Sequence, residues 1–353
     1  MKTIGYAAQS AKKPLAPFHF ERRNLRDDDV AIEILYCGVC HSDLHQVKDD
    51  WGFGMFPCVP GHEIIGRVSS VGSAVTKYKK GDRVAVGCFV NSCLHCDQCE
   101  SGDEQFCREG VTMSYGSEDK VSGGVTYGGF SKNIVVKEHF VLSVPNSLDL
   151  SRAAPILCAG ITMYSPLKHY GVVDGSCRRV GVVGIGGLGH MAIKLAKAMG
   201  AEVTVISRSA DKTDIAKKYG ADNVVISKDE DSMAKAASSL DLIISTVPVK
   251  HDVTPYLSLL EVKGTLVITG HPGPLEEPNA SAMIFGNKSV SGSLVGGIPD
   301  TQEVLDFCGK HNIHPQCEMI RMDQVNDAFK QLERGEIAHR FVIDMASLES
   351  TQD

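Results

Sequence analysis

A glycine-rich turn between an apolar strand and a helix restricts the fold of this chain more than any other sequence feature. Residues 184–189 read GIGGLG; they follow an apolar run and precede apolar residues at helical spacing. In such a turn the first glycine permits a tight bend, the second lets the backbone approach a pyrophosphate, and the third lets helix pack on strand. The turn predicts a dinucleotide site; the alternative is a packing turn without a ligand. The predicted cofactor contacts are Gly184, Gly186, Gly187, Leu188 and Gly189.

Short apolar strands alternate with amphipathic helices on both sides of this turn. The strand-like runs cover residues 180–183, 203–206, 224–226, 241–244 and 265–268. Alternating strands and helices are typical of a parallel sheet that is covered by helices. This part of the chain is therefore predicted to form a doubly wound dinucleotide-binding domain.

The remaining sequence has a different pattern of apolar residues and glycines. Residues 1–150 are rich in short strands separated by glycines and long loops, and the pattern becomes mixed again late in the chain. A chain of 353 residues is too long for one ordinary core and suits two domains. We predict an α/β protein with a β-rich domain at residues 1–152 and 292–353 and a doubly wound domain at residues 153–291.

Four closely spaced cysteines form the strongest metal signal. Thiolates at this spacing can close a tetrahedron around Zn²⁺ and leave no open position, so the site is predicted to be structural. The alternative is a set of buried free thiols or disulfides, which the short spacing disfavours in a cytosolic protein. The four residues are Cys93, Cys96, Cys99 and Cys107.

A second group of potential ligands is dispersed along the chain. Cys40, the pair His62–Glu63, and Cys158 lie far apart in sequence. Two cysteines and a histidine with an open fourth position would match a catalytic zinc site. Spacing alone does not bring these residues together, and a single cysteine or histidine is more often a core residue than a ligand.

The end of the second strand bears on the choice of nicotinamide cofactor. A carboxylate at this position would bind the adenosine ribose 2′-OH of NAD, but here the strand ends in Ser207 and Arg208, with Lys212 one turn further. Both cations can meet a 2′-phosphate, which predicts NADP(H). The alternative is that both are solvated surface charges.

Charge and cysteine content narrow the class of protein. A net charge of −7 gives no electrostatic reason to bind nucleic acid or an anionic membrane. No apolar run reaches the length of a membrane span, and the first residues resemble a strand rather than a secretory signal. Twelve cysteines without such a signal favour metal binding over disulfides, and we expect a cytosolic protein. The cysteines outside the two groups, expected to be small buried residues, are Cys37, Cys58, Cys88, Cys177, Cys308 and Cys317.

With these motifs in view, the chain resembles the zinc-dependent medium-chain dehydrogenase/reductase superfamily, and within it the cinnamyl alcohol dehydrogenase group. The resemblance runs nearly end to end. It rests on CHSDLH at residues 40–45, GHE at 61–63, the four-cysteine lobe, CAGIT at 158–162, the glycine turn and SRS at 207–209. It implies a GroES-like catalytic domain and a Rossmann cofactor domain.

The resemblance also implies roles for individual residues. Cys40, His62 and Cys158 would bind a catalytic zinc, with Glu63 as an exchangeable ligand. Ser42 and His45 correspond to the family's proton relay, which Asp50 would extend. The alternative for Asp50 is an exposed loop carboxylate. Trp51 would line the substrate pocket, although it could equally be ordinary packing. The implied cofactor contacts are His41 and Arg340 at the pyrophosphate, Thr162 at the nicotinamide, and Ser207, Arg208 and Lys212 at the 2′-phosphate.

The implied function is hydride transfer between C4 of NADP(H) and a primary alcohol or aldehyde, aromatic or aliphatic, that is held at the catalytic zinc. Two zinc ions per chain, a small-molecule substrate and a homodimer are expected. One alternative is a zinc-free quinone reductase, which the complete ligand set disfavours. The other is a non-catalytic NADPH-binding scaffold, which would not need Ser42 and His45.

Overall fold

The computed structural model describes residues 1–270, 273–335 and 339–348, and the chain divides into two units. One unit comprises Met1–Cys158 and Gly296–Asp353, and the other comprises Ala159–Val295. The expected domain limits, after residues 152 and 291, lie slightly earlier. The second of them falls inside the strand Ser289–Gly292, which belongs to the sheet of the second unit.

The strands in chain order are β1 (Lys2–Ala7), β2 (Ala16–Glu21), β3 (Asp29–Val39), β4 (Ile64–Val71), β5 (Arg83–Val86), β6 (Phe89–Asn91), β7 (Thr112–Met113), β8 (Asn133–Lys137), β9 (Leu142–Ser143), β10 (Arg179–Val183), β11 (Glu202–Ser207), β12 (Asn223–Ile226), β13 (Leu240–Ser245), β14 (Leu260–Ile268), β15 (Ser289–Gly292), β16 (Cys317–Arg321) and β17 (Arg340–Asp344).

The α-helices are α1 (His41–Lys48), α2 (Asp97–Glu100), α3 (Leu150–Ala153), α4 (Ala159–His169), α5 (Gly189–Ala198), α6 (Thr213–Tyr219), α7 (Glu230–Lys235), α8 (Thr254–Leu257), α9 (Ala280–Ile284), α10 (Ile298–His311) and α11 (Val325–Arg334). Single 3₁₀ turns span Glu104–Phe106, Glu138–Phe140, Ala154–Leu157, Ala210–Lys212, Met322–Gln324 and Met345–Ser347. Among the helices described, none combines the length and apolar character that crossing a membrane requires.

The first unit is built on a sheet with the order β16-β17-β3-β4-β5-β9, with β8 also paired to β3. Most of its neighbours are antiparallel, and β17 pairs antiparallel with β3 in a register that sets Phe341 opposite Val39. The late strands therefore join the sheet of the early ones, as the mixed pattern after the cofactor domain predicts. This register also brings the start of β17 to the end of β3, where α1 begins.

The second unit contains a parallel sheet with the order β12-β11-β10-β13-β14-β15. Strand β10 lies between β11 and β13, so the strand order reverses there, and open α/β sheets bind their ligands at such a switch point. The strands are apolar because both faces of the sheet are covered; Val183, Ile206, Ile243 and Leu266 are all buried. The α/β fold class is confirmed.

Candidate active site

Four potential metal ligands that are dispersed in sequence meet in the first unit. One ligand atom from each of Cys40, His62, Glu63 and Cys158 lies within 4.8 Å of the others, and all four residues are buried. The two thiol sulfurs are 3.8 Å apart. This donor set, two sulfurs, one imidazole nitrogen and a carboxylate, suits Zn²⁺.

Three different segments deliver these ligands. Cys40 follows the last residue of β3 and is the N-cap of α1. His62 and Glu63 immediately precede β4, which pairs with β3. Cys158 follows the 3₁₀ turn Ala154–Leu157. The antiparallel pairing of β3 with β4 places the end of β3 next to the start of β4, and so brings the first two segments together.

Asp43, which sequence reasoning did not single out, holds two of these segments together. Its carboxylate accepts hydrogen bonds from the backbone N–H of Cys40 at 2.9 Å and of Gly61 at 3.0 Å. It also lies 3.1 Å from Nδ1 of His62, which leaves Nε2 to face a metal. The acidic residue at the third position of α1 was the available signal, because such residues commonly cap a helix. The capping pattern is hard to recognise in the sequence because the N-cap residue is Cys40 rather than a serine, threonine, aspartate or asparagine.

Glu63 and Arg340 form a buried ion pair beside the thiols. The Arg340 guanidinium donates to one carboxylate oxygen of Glu63, and both side chains are at most 5% exposed. Burial raises the pKa of Glu63 to about 7, although the Arg340 charge acts in the opposite direction. The second carboxylate oxygen has no hydrogen-bond partner among the described residues. A buried carboxylate with one free oxygen at a cluster of thiols fits an exchangeable metal ligand.

The predicted relay residues lie along α1 and the loop after it. The Ser42 hydroxyl oxygen is 3.7 Å from the Cys40 sulfur. His45, three residues further along the helix, shares its side with Ser42. Nδ1 of His45 lies 2.8 Å from the carboxylate of Asp50. Trp51 packs 5.6 Å from the His45 ring and stacks on Phe53, measured between ring centroids.

The four-cysteine group forms a separate cluster in the same unit. One sulfur from each of the four residues lies within 4.8 Å of the others. The sulfur of Cys96 accepts the backbone N–H of Arg108, and that of Cys107 accepts the backbone N–H of Cys93. Backbone hydrogen bonds, the largest from Arg108, lower the pKa of the Cys96 thiol to about 6. A group of four sulfurs that contains such a stabilised thiolate fits a closed zinc site.

The glycine turn in the second unit has the shape of a phosphate-binding turn. Gly184 has a φ of +92°, which favours glycine. A Cβ atom on Gly189 would lie 2.0 Å from the carbonyl oxygen of Gly184, so helix and strand approach closely here. In the described part of the chain, a Cβ on Gly186 would meet no atom within 4 Å. The turn therefore leaves open space above Gly186, where a pyrophosphate would fit.

The other predicted cofactor contacts are placed as follows. Thr162 is buried in α4, and Ser207 is buried at the end of β11, while Arg208 and Lys212 are exposed. In the first unit, Nε2 of His41 lies 3.2 Å from the carbonyl oxygen of Leu332, and burial lowers the pKa of this histidine. Arg340 is paired with Glu63. That these residues contact the cofactor stays a prediction.

Cys88, expected to be an ordinary buried residue, lies beside the dispersed cluster in the structure. It is buried, and interaction with the Cys158 side chain lowers the pKa of its thiol. No spacing rule marks it, because it lies 70 residues before Cys158 in the chain. Of the other five unassigned cysteines, Cys37, Cys58, Cys177 and Cys308 are buried and Cys317 is partly exposed.

Comparison with known proteins identifies the family. The alcohol dehydrogenase GroES-like domain matches residues 26–146, and the zinc-binding dehydrogenase domain matches residues 187–310. The chain belongs to the zinc-binding alcohol dehydrogenase family. It is an oxidoreductase with a GroES-like domain and a Rossmann domain. The predictions of fold, enzyme class and zinc as a cofactor are therefore confirmed.

Individual relatives agree over the whole chain. An aldehyde reductase, YahK, from Escherichia coli (strain K12) is 49% identical over 350 residues, which cover 99% of each chain. The structure of a cinnamyl alcohol dehydrogenase (SbCAD4) from Sorghum bicolor superposes with a TM-score of 0.94 at 46% identity, over 100% of both chains. A CAD from Helicobacter pylori in complex with NADP(H) has a TM-score of 0.90 at 42% identity, over 98% of this chain and 99% of that one.

Proposed function

We propose that this chain is an NADP(H)-dependent zinc alcohol dehydrogenase and aldehyde reductase that acts on primary alcohols and aldehydes, aromatic or aliphatic. The observation that carries the proposal is the buried cluster of Cys40, His62, Glu63 and Cys158 with the Ser42 hydroxyl beside it. When bound there, zinc acts as a Lewis acid towards the substrate oxygen, and NADP(H) exchanges the hydride. Cys40, His62 and Cys158 hold the metal, and the four-cysteine group holds a second, structural zinc.

The chain's own contribution to the chemistry is a path for one proton. Ser42 exchanges a proton between its hydroxyl and the substrate oxygen, and His45 exchanges it with Ser42 and with solvent. The His45 side chain is 37% exposed, which gives it access to water. The Asp50 carboxylate holds Nδ1 of His45, so Nε2 is the nitrogen that accepts the proton.

The aromatic residues in the loop after α1 favour a substrate with an apolar carbon skeleton. Trp51 is partly buried and stacks on Phe53 with a ring-centroid distance of 5.7 Å. Apolar and aromatic side chains commonly line the small-molecule sites of enzymes. Two stacked rings beside His45 therefore suit alkyl and aromatic groups better than polyols.

The second unit supports NADP(H) over NAD(H). Ser207 ends β11 where a carboxylate would repel a 2′-phosphate, and Arg208 and Lys212 are exposed and free to approach one. The relative from Helicobacter pylori is in complex with NADP(H). Charge-assisted hydrogen bonds to phosphate are each worth roughly 1.5–3 kcal/mol, or about tenfold to a hundredfold in affinity.

The test is reduction of a panel of aromatic and aliphatic aldehydes with NADPH and with NADH. We expect kcat/KM with NADPH to exceed that with NADH by about tenfold or more. Ser42→Ala should lower kcat about a hundredfold and leave the Kd of NADPH unchanged, because it removes a positioned acid–base group. Ser207→Asp combined with Arg208→Gln should shift the preference towards NADH. Absence of turnover with every aldehyde, despite full zinc content, would refute the proposed activity.

We also propose that the protein is a homodimer formed through β15. This strand ends the sheet and pairs only with β14 among the described strands, so its other edge is open. Val262, Ile284, Phe285 and Leu294 are exposed near it, and Phe285 is 91% exposed. An open edge with apolar neighbours suits pairing with the same edge of a second copy. Sedimentation should give a dimer and Phe285→Glu a monomer; a monomeric unmodified protein would contradict the proposal.

A cytoplasmic location is proposed from the thiol chemistry. All twelve cysteines are free of disulfides, and two clusters need reduced sulfurs to bind metal. Reducing compartments preserve such thiols. Cell fractionation in the source organism would test this proposal.

A further inference from the structure

A buried histidine follows the glycine turn directly and bonds back onto it. The side chain of His190, the second residue of α5, is 0% exposed, and its Nδ1 atom lies 3.0 Å from the carbonyl oxygen of Gly186. The backbone N–H of His190 donates to the same oxygen at 3.1 Å. Because a carbonyl oxygen only accepts hydrogen bonds, the imidazole carries a proton on Nδ1. One residue thus holds the Gly186 carbonyl with two donors.

The held oxygen belongs to the peptide unit that also carries the N–H of Gly187. In a planar trans peptide the C=O and N–H bonds point in opposite directions, so fixing the oxygen fixes the direction of the hydrogen. The oxygen points towards the first turn of α5, and the N–H of Gly187 therefore points away from that turn. Beside this peptide, a Cβ on Gly186 would meet open space within the described structure. The peptide is thus held in one orientation next to room for a ligand.

We propose that His190 is a positioning residue that orients the Gly186–Gly187 peptide so that its N–H donates to the cofactor pyrophosphate. This inference rests on the proposed NADP(H) site. A buried imidazole costs free energy unless it is hydrogen-bonded, whereas an apolar side chain would fill the same space without that cost. The bond to Gly186 is one that an apolar residue cannot make. The Tyr219 ring lies beside the imidazole, with the ring centroids 5.6 Å apart.

Two substitutions of matched shape separate the hydrogen bond from packing. His190→Asn places an amide nitrogen at the branch position that Nδ1 occupies and keeps a donor. His190→Leu places a methyl group there and removes the donor. We expect His190→Leu to raise the Kd of NADPH about tenfold, the effect of losing one oriented hydrogen bond, and His190→Asn to stay near the unmodified value. His190→Met provides a second variant without a donor if His190→Leu does not fold.

Comparing the binding of NADPH, NADH and adenosine 2′-monophosphate shows whether the substitutions act at the pyrophosphate. Titration of NADPH fluorescence gives the Kd of NADPH and NADH, and both should rise by the same factor because both contain the pyrophosphate. Adenosine 2′-monophosphate lacks it and should bind all variants equally. The kcat at saturating NADPH should not change. Tyr219→Leu, which removes the ring contact but keeps the donor, is the packing control and should leave the Kd of NADPH unchanged.

Three results would overturn the inference. They are an unchanged Kd in His190→Leu and His190→Met, equal losses in the asparagine and leucine variants, or a parallel loss of adenosine 2′-monophosphate binding. Failure of the proposed function has a different outcome, because the unmodified protein would then not bind NADPH.

Discussion

Asp43 shows how a residue that binds no metal can organise a metal site. Its carboxylate is 0% exposed and contacts the Cys40 backbone, the Gly61 backbone and the His62 ring, so it joins the start of α1 to the loop before β4. A carboxylate that accepts from a ligating histidine fixes the ring orientation and raises its basicity. Asp43 therefore links the geometry of two ligands to the fold of the sheet.

Replacing this carboxylate should weaken zinc binding at the dispersed cluster. Asp43→Asn removes the charge that orients His62, and we expect zinc affinity at this site to fall about tenfold to a hundredfold. Competition with a chromophoric chelator measures the affinity. Asp49→Asn is the matched control, because the Asp49 carboxylate accepts from the Gly54 backbone and does not contact His62. Equal affinity in the two variants would show that Asp43 does not support the metal site.

At the scale of single elements, the four-cysteine loop depends on contacts other than an apolar core. The 3₁₀ turn Glu104–Phe106 lies within it, and the buried Glu104 carboxylate accepts from the backbone N–H of Ile298 and lies 2.6 Å from Nε2 of His139. Arg108 pairs with Asp97 across the loop. Within residues 93–107 the buried side chains are cysteines or polar residues, so a metal held by the four thiolates would take the place of an apolar core.

The two cysteine clusters should respond differently to the loss of one thiol. Cys96→Ala opens the closed site, and because metal binding contributes to folding we expect the Tm to fall by about 5–10 °C. Cys158→Ala should abolish turnover and largely spare the Tm. Thermal unfolding and aldehyde reduction by NADPH measure the two effects. Loss of activity in both variants with unchanged Tm would contradict a structural role for the loop.

Strand β3 begins at an ion pair that makes stability depend on pH. The Asp29 carboxylate is buried and binds Arg23 and Arg26. Burial opposes its ionisation, but the two arginines outweigh this and hold the pKa of Asp29 well below its usual range. A lowered folded-state pKa adds stability above the unfolded pKa, near 4, and this stability is lost as the pH falls through the folded value.

Asp29→Asn tests this contribution. At pH 7 we expect the free energy of unfolding to fall by about 3 kcal/mol, because two arginines lose a buried partner. The difference from the unmodified protein should shrink as the pH falls below about 4. Denaturant unfolding at several pH values measures it. Asp28→Asn is the control, since the Asp28 side chain is 42% exposed. A difference that is independent of pH would rule out the ion pair as its source.

At the scale of the whole molecule, the metal clusters and the dinucleotide-binding turn lie in different units. Both metal clusters lie in the first unit, which the chain enters twice, and the glycine turn lies in the continuous second unit. Arg340, from the late segment, reaches Glu63 because β17 pairs with β3. The first unit therefore needs both ends of the chain to complete its site.

Metal content tests this division. We expect close to two zinc ions per chain, since the first unit contains two separate ligand sets. Cys158→Ala and Cys96→Ala should each retain about one. Elemental analysis after desalting gives the ratio. A value near one in the unmodified protein would mean that one of the two clusters does not bind zinc.

Features that depend on residues close together in the sequence could be predicted from the sequence by itself. Strand and helix periodicity is local, so the alternation around the glycine turn was sufficient to predict the doubly wound sheet. The Cys93–Cys107 lobe closes within one short loop, so its spacing alone indicates a metal site. The predicted preference for NADP(H) is also local, because it depends on Ser207, and not a carboxylate, standing at the end of a strand.

Only the tertiary structure decided which distant residues meet. In the sequence, Cys40, His62 and Cys158 are connected only by the family resemblance, because no spacing rule links segments that meet through folding. The pairing of β17 with β3 sets Arg340 against Glu63. Cys88 and Cys158, which lie outside these strands, also meet only in the folded chain. Asp43 acts through hydrogen bonds to Gly61 and His62, whose position depends on how α1 packs against the loop before β4. Such contacts follow from the register of strands and the packing of helices, which periodicity along the chain does not specify.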